Sequence, residues 1–373
     1  MNFYFIIFFL LLSKIFVISN LYNILFIPFL GFLFLSSSSK VHNKKLSVLL
    51  FIVFSFVVFS FLLLSGEPLP FNVALLRSFS IATLYLALLG HLPFDESLFN
   101  NFKLPLILSI PGILFLFNPP SIYSAVGSGI DFKSNMGLFD SFALVGLFPT
   151  SFYLAQVVTA LLIYKISPIF RSYDFKVFPF TNQIIDRLIL IFILVLTNRK
   201  VFLILLILYP ITSLVKTLIV IFKNLRINKE TFNTLIFRLG FISIVFTVFA
   251  FGITNFTFTY LFEQIAERLY FYTLWAFTPG ADTLAETGMM VIYKYGGDFL
   301  FLISWIVFLS SFIYSLFKFK LSKISDFLIA YTLILLFLFK EAATVFSPSP
   351  SSLMLLMVVS MLINSSRSSF KRI

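Results

Sequence analysis

The 373-residue chain contains no cysteine, which removes disulfides, thiolate metal sites, iron–sulfur clusters and a cysteine nucleophile together. Histidine is nearly as scarce, with only His42 and His91 present. A haem held by two histidines within a bundle needs both at membrane depth, yet His42 lies among lysines and His91 sits just before Pro93. No cofactor is expected, a bis-histidine haem included. A metal site would have to be assembled from scattered carboxylates, and none is expected either. Charged residues make up 11% of the chain, against roughly 25% in soluble domains. Met1–Ile18 has no basic leader and no small-residue cleavage site, so it is expected to remain in the mature protein. No Gly-Lys-Ser/Thr follows Gly127-Ser128-Gly129, which therefore reads as a loop and not a phosphate cradle.

What fills the sequence instead is apolar: 60% of residues are hydrophobic, 55 of them phenylalanine, and the mean hydropathy is +1.05. A water-soluble fold of this size has too few polar residues to cover such a surface. Several separate runs approach the ~20 residues needed to cross a hydrocarbon core at 1.5 Å per residue. A membrane β-barrel would alternate in polarity, whereas Leu46–Ser65 is apolar all round. The expected fold is all-α, a polytopic transmembrane helix bundle with about 11–12 membrane-spanning segments.

The apolar segments are 3–18, 21–36, 46–65, 71–92, 104–118, 136–165, 181–197, 201–222, 232–256, 298–317, 325–346 and 350–364. With Ser36–Lys45 placed in the cytoplasm, alternation puts 93–103, 166–180, 223–231, 318–323 and 365–373 there too. These six stretches hold 15 lysines and arginines against 5 in the opposite loops, as the positive-inside rule requires. The net charge of +12 is therefore read as topology charge and not as a nucleic-acid footprint. The chain is expected in the cell membrane with its C-terminus cytoplasmic and the side of its N-terminus open. The polar stretch 167–183 divides it into an N-terminal block, 1–166, and a C-terminal block, 184–373. Asn198-Arg199-Lys200 lies within 181–222, which is read as a tight hairpin, with a re-entrant or surface-lying helix as the alternative.

The longest polar interruption, 257–297, is expected outside the cytoplasm. It carries Glu263, Glu267, Asp282 and Glu286 against Arg268 and Lys294, and its aromatic run Tyr260–Phe277 suits the headgroup layer. Those four carboxylates are candidates for outer docking or gating. Ionisable groups inside lipid-crossing segments are costly, by at least ~2.5–3.5 kcal/mol on insertion scales, and so point to function. Arg77, Asp140 and Glu341 are the candidates of that kind, with Gln156 as an uncharged companion. Arg77 lies close enough to a helix end to snorkel. Pro105, Pro111, Pro119 and Pro120 make 104–118 a short, kinked segment.

Leu75–Gly112 resembles the transmembrane component of energy-coupling-factor transporters in its arginine-bearing helix, polar connector and Leu-Pro entry. The Ala-Arg-Gly-type coupling signatures of that family are missing, so no membership follows. Three functions remain in view. The chain is expected first to be a cofactor-free hydrophobic subunit, an anchor or scaffold, of a larger membrane complex such as a respiratory or electron-transfer assembly. A transporter permease subunit is the alternative, and a membrane enzyme acting on lipid-linked substrates the third. No acid/base pair can be named, so catalytic activity of its own is not expected. The implied partners are the lipid bilayer and other membrane-complex subunits, with no nucleic acid.

Overall fold

The computed structural model describes residues 3–15, 19–36, 44–64, 66–111, 130–132, 142–170, 175–197, 288–318, 323–339 and 348–367, with isolated positions between 211 and 240. Its described regular structure is helical except for one short antiparallel strand pair. Its helices are α1 (Phe3–Ile15), α2 (Ser19–Ile24), α3 (Phe26–Ser36), α4 (Lys44–Leu64), α5 (Phe71–Leu89) and α6 (Glu96–Ser109). Strands β1 (Ile130–Phe132) and β2 (Phe142–Leu144) follow, then α7 (Ser151–Ile166), α8 (Gln183–Leu196), α9 (Gly288–Lys318), α10 (Ile324–Phe339) and α11 (Pro350–Arg367). Among the described residues α4, α5 and α9 are long and apolar enough to cross a membrane, which is consistent with a membrane location.

Helix α11 is the axis of the bundle. It is buried on nearly every face and packs against α7, α5, α10 and α9. Its sequence explains this position: PSSLMLLMVVSMLINSSR contains no aromatic residue but three of the chain's seven methionines. A slim helix with adaptable thioethers fills the space between aromatic-rich neighbours without clashing. Its start is fixed by a reciprocal cap. The Ser349 N–H donates to Ser352 Oγ and the Ser352 N–H to Ser349 Oγ, both at 3.1 Å, with Pro350 at the first helical position.

The outer helices have the opposite character. Phe56 on α4 is 71% exposed and Phe299 on α9 is 68% exposed, while several of their serines face inward. Ser55 of α4 and Ser304, Ser311 and Ser315 of α9 are buried. Tyr85 of α5 closes one of these seams by a 2.5 Å hydrogen bond with Ser304.

Several expectations change. The 21–36 segment is two helices separated at Leu25. Helix α6 begins at Glu96, well before the expected 104, because Asp95 caps it by accepting from the Ser97 N–H at 2.9 Å. Pro105 lies inside that helix, and residues 112–118 fall outside the described chain. Of the expected long segment 136–165, the described residues 142–165 are helical only from Ser151, since β2 and the positive-φ Gly146 precede it. Later in the chain α9 begins at Gly288, not 298. It is bent at Gly297, whose φ of 68° and ψ of −174° lie in a region that only glycine tolerates. The 201–222 and 232–256 segments lie almost wholly outside the described residues, as does the question of a hairpin after α8.

Gly297→Ala should therefore cost ~1–3 kcal/mol, read as a lowered midpoint in thermal unfolding followed by helical circular dichroism in detergent. Gly31→Ala is the matched control, because a Cβ there meets nothing within 4 Å. It should be neutral or stabilise by ~0.5–1 kcal/mol.

Candidate functional site

Among the described residues ionisable side chains gather at two ends of the bundle, and the larger gathering is at the end where α5, α7 and α11 finish. There the orphan carbonyls of a helix C-terminus meet apolar surroundings, and each needs a donor. Gly90 ends α5 in the left-handed conformation with φ 75°, its N–H donating to Ala87 O at 3.0 Å and the His91 N–H donating to Leu86 O at 2.8 Å. The next two carbonyls are served by Arg367, the last residue of α11. Its Nη1 donates to Leu89 O at 2.7 Å and its Nη2 to Leu88 O at 3.0 Å.

The same guanidinium continues into a hydroxyl network. Arg367 Nε donates to Ser315 Oγ at 2.7 Å and Nη2 to Ser311 Oγ at 2.8 Å, while Tyr331 hydroxyl lies 2.6 Å from Ser315 Oγ and donates to Ser311 O at 2.9 Å. The ring of Tyr314 lies 5.1 Å from the guanidinium carbon. Arg367 thus ties α11 to α5 and α9, and Tyr331 brings in α10. Asn364, one turn earlier, donates to Gly90 O. Asp326 at the start of α10 accepts from Ser167 Oγ and Ser365 Oγ, each at 3.2 Å, and lies 3.9 Å from Lys323 Nζ.

A second cluster holds α8. Lys165 and Asp186 form an ion pair whose side chains are 4% and 0% exposed. The carboxylate also accepts from the Val177 and Phe178 N–H groups at 3.3 and 2.9 Å and from Thr181 Oγ1 at 3.3 Å. Lys165 Nζ donates to Phe175 O at 2.8 Å, and Arg187 Nη2 donates to Lys165 O at 3.1 Å. Lys103 lies 4.0 Å from the centre of the Phe175 ring. Burial holds its ammonium below the ordinary lysine range, an effect offset in part by Asp186 and Glu96 and reinforced by Lys165. Glu96 accepts from the Tyr164 hydroxyl at 2.9 Å.

At the opposite end a smaller clasp closes over the bend in α9. The Arg77 guanidinium carbon lies 4.4 Å from the centre of the Tyr295 ring. Lys294 Nζ is 3.4 Å from Glu67, whose N–H donates to Lys294 O at 3.1 Å. Gly66 lets this contact form, since a Cβ would come within 2.2 Å of the Tyr295 carbonyl carbon. Of the sequence candidates, Arg77 is held in this clasp, and Gln156 is fully buried on α7. Asp140, Glu341, Glu263, Glu267, Asp282 and Glu286 lie outside the described residues.

Sequence reasoning missed Arg367, Asp326, Tyr331 and the Lys165–Asp186 pair. Arg367 counted there only as a tail cation, three residues past a segment that the structure extends to include it. The signal available was the clustering of serine and asparagine in the last turn of that segment, Asn364-Ser365-Ser366-Arg367. Among the described residues no group of three or more histidine or acidic side chains is placed to hold a metal ion. No protein-family model matches the chain, and no curated protein and no solved structure matches it either.

Breaking the Lys165–Asp186 pair should cost ~3–5 kcal/mol when either partner alone is neutralised, because the other charge stays buried. Lys165→Met with Asp186→Leu should recover much of that loss, although the two N–H groups of Val177 and Phe178 then lack their acceptor. Equilibrium unfolding of the two single variants and the double variant measures the coupling.

Proposed function

We propose that this chain is a multi-pass membrane protein acting as a hydrophobic scaffold or anchor subunit of a larger membrane complex, without catalytic chemistry of its own. The observation that carries this reading is the use to which its buried charges are put. Arg367 caps α5, Asp186 organises the turn before α8, and Asp326 joins α10 to α7 and α11. Each is engaged by helix-end carbonyls, loop amides, hydroxyls or an opposite charge of its own chain. A charge held in this way fixes the relative position of helices, and rigid helix placement is what a scaffold supplies.

The exposed faces support the same reading. Phe56 and Leu64 on α4 and Phe299 and Phe317 on α9 are open apolar side chains on helices long enough to span a bilayer. Such faces suit acyl chains or the helices of another subunit. A respiratory or other electron-transfer assembly is the kind of complex for which a cofactor-free subunit makes sense, and it stands as the leading proposal for the partner.

A permease subunit is the second reading. The observation in its favour is the fully buried polar pair Gln156 and Thr159, three residues apart on α7, since buried polar groups within a bundle mark solute paths in transporters.

Purification in a mild detergent, followed by native mass spectrometry, separates the two. The scaffold reading expects a stable stoichiometric partner carrying a redox centre. An ATPase partner, or stabilisation by a small solute that Gln156→Leu abolishes, would move the assignment to the permease. A monomer with neither would count against the scaffold.

A further inference from the structure

Helix α8 is apolar on its exposed face as well as on its buried one, unlike a helix on a water-soluble surface. Asp186, Leu190 and Ile193 face the protein, whereas Ile184, Leu188 and Phe192, one turn apart, are 68, 59 and 51% exposed. Just before the helix, Phe180 is fully exposed. The 14-residue helix is about 21 Å long, less than the ~30 Å hydrocarbon core, and the exposed polar residues Lys176 and Gln183, before and at its start, suit the headgroup side of that core.

The end of the stripe near Phe180 is cationic. Because the Val177 N–H donates to Asp186, Lys176 and Arg187 each stand one residue beyond a member of that bonded pair. Lys165 completes the cluster by pairing with Asp186, so three cations surround one carboxylate for a net charge of +2. Lys165 is used internally and Arg187 gives one nitrogen to Lys165 O, but Lys176 is exposed and Arg187 is only partly buried.

We propose that this corner holds an anionic phospholipid, its phosphate beside Lys176 and Arg187 and one acyl chain along Ile184, Leu188 and Phe192, with Phe180 in the headgroup layer. The two parts match the two parts of the ligand: an uncharged apolar track of about two helical turns, and positive charge beside its first turn. A protein partner would not require that polarity, and a free anion would not require the track. The proposal rests on the membrane reading given above.

The test uses the full chain in a non-ionic detergent, with phosphatidylglycerol, phosphatidylcholine and inorganic phosphate added separately. Thermal stability and lipid retention by native mass spectrometry are the readouts. Phosphatidylglycerol should stabilise the protein and be retained, and phosphatidylcholine and inorganic phosphate should do neither. Lys176→Gln should weaken retention about fivefold, corresponding to the ~1 kcal/mol that one basic residue gains near an anionic surface. Adding Arg187→Gln should weaken it further, and Phe180→Ser gives a second variant at a fully exposed position should Arg187→Gln impair folding. Lys45→Gln with Lys318→Gln removes two exposed charges elsewhere and should leave retention within twofold.

Equal loss in that control, equal retention of phosphatidylcholine, or full stabilisation by inorganic phosphate would overturn the site. A protein cross-linked along Ile184 and Leu188 in its place would do the same. Dispersal of the chain in buffer without detergent would instead overturn the membrane reading.

Discussion

A helix that ends in apolar surroundings leaves carbonyl oxygens with no water to accept from, and the packing of this protein depends on solving that problem where α5 stops. The Gly90 turn closes part of the C-terminus and the Arg367 guanidinium closes the rest. Since Arg367 is also the last residue of the central helix, one side chain terminates α5 and fixes the axial position of α11 at once. Ser311, Ser315 and Tyr331 then bind the same guanidinium to α9 and α10. The remaining packing follows from residue size: a slim, aromatic-free axis, buried serines in the seams beside it, and phenylalanines such as Phe29, Phe99 and Phe102 filling the space between the surrounding helices.

The charged groups fall into a consistent pattern. At one end Arg367, Asp326 and the Lys165–Asp186 pair each join a helix terminus to a neighbouring element. At the other, Glu67, Lys294, Arg77 and Tyr295 hold the α4–α5 connection against the bend at Gly297. In both places charge is applied to backbone ends and bends, where the cost of an unsatisfied polar group is highest. This pattern is the physical basis of the scaffold proposal.

Helices were legible in the sequence where the apolar run was continuous and bounded by turn residues, as for α4, α5, α10 and α11. Boundaries were missed where a polar stretch was itself helical. Glu96–Lys103 reads as a connector on hydropathy, but Asp95 caps it and Leu98, Phe99 and Phe102 are buried. Residues 288–296 were similarly assigned to a loop because Lys294, Gly296 and Gly297 interrupt the run, although the helix bends there and continues. Length misled in the opposite direction at 136–165, where hydropathy does not distinguish a strand from a helix.

The candidate residues fared differently for a related reason. A search for charges in the middle of apolar segments finds Arg77 but overlooks Arg367, Asp326 and Asp186, which occupy segment ends where charge is ordinary. Only packing reveals that those ends are buried. The fact that Asp186 accepts from two loop amides eight and nine residues upstream is likewise a matter of chain reversal that no spacing rule encodes.

The most direct test of the claim that terminal charges hold this bundle together is the stability of Arg367→Met in detergent, set against Lys45→Gln, an exposed lysine on α4. Loss of several charge-assisted hydrogen bonds should lower the unfolding free energy by about 3 kcal/mol or more, with Lys45→Gln within ~0.5 kcal/mol of the parent. Equal midpoints for the two variants would contradict the account.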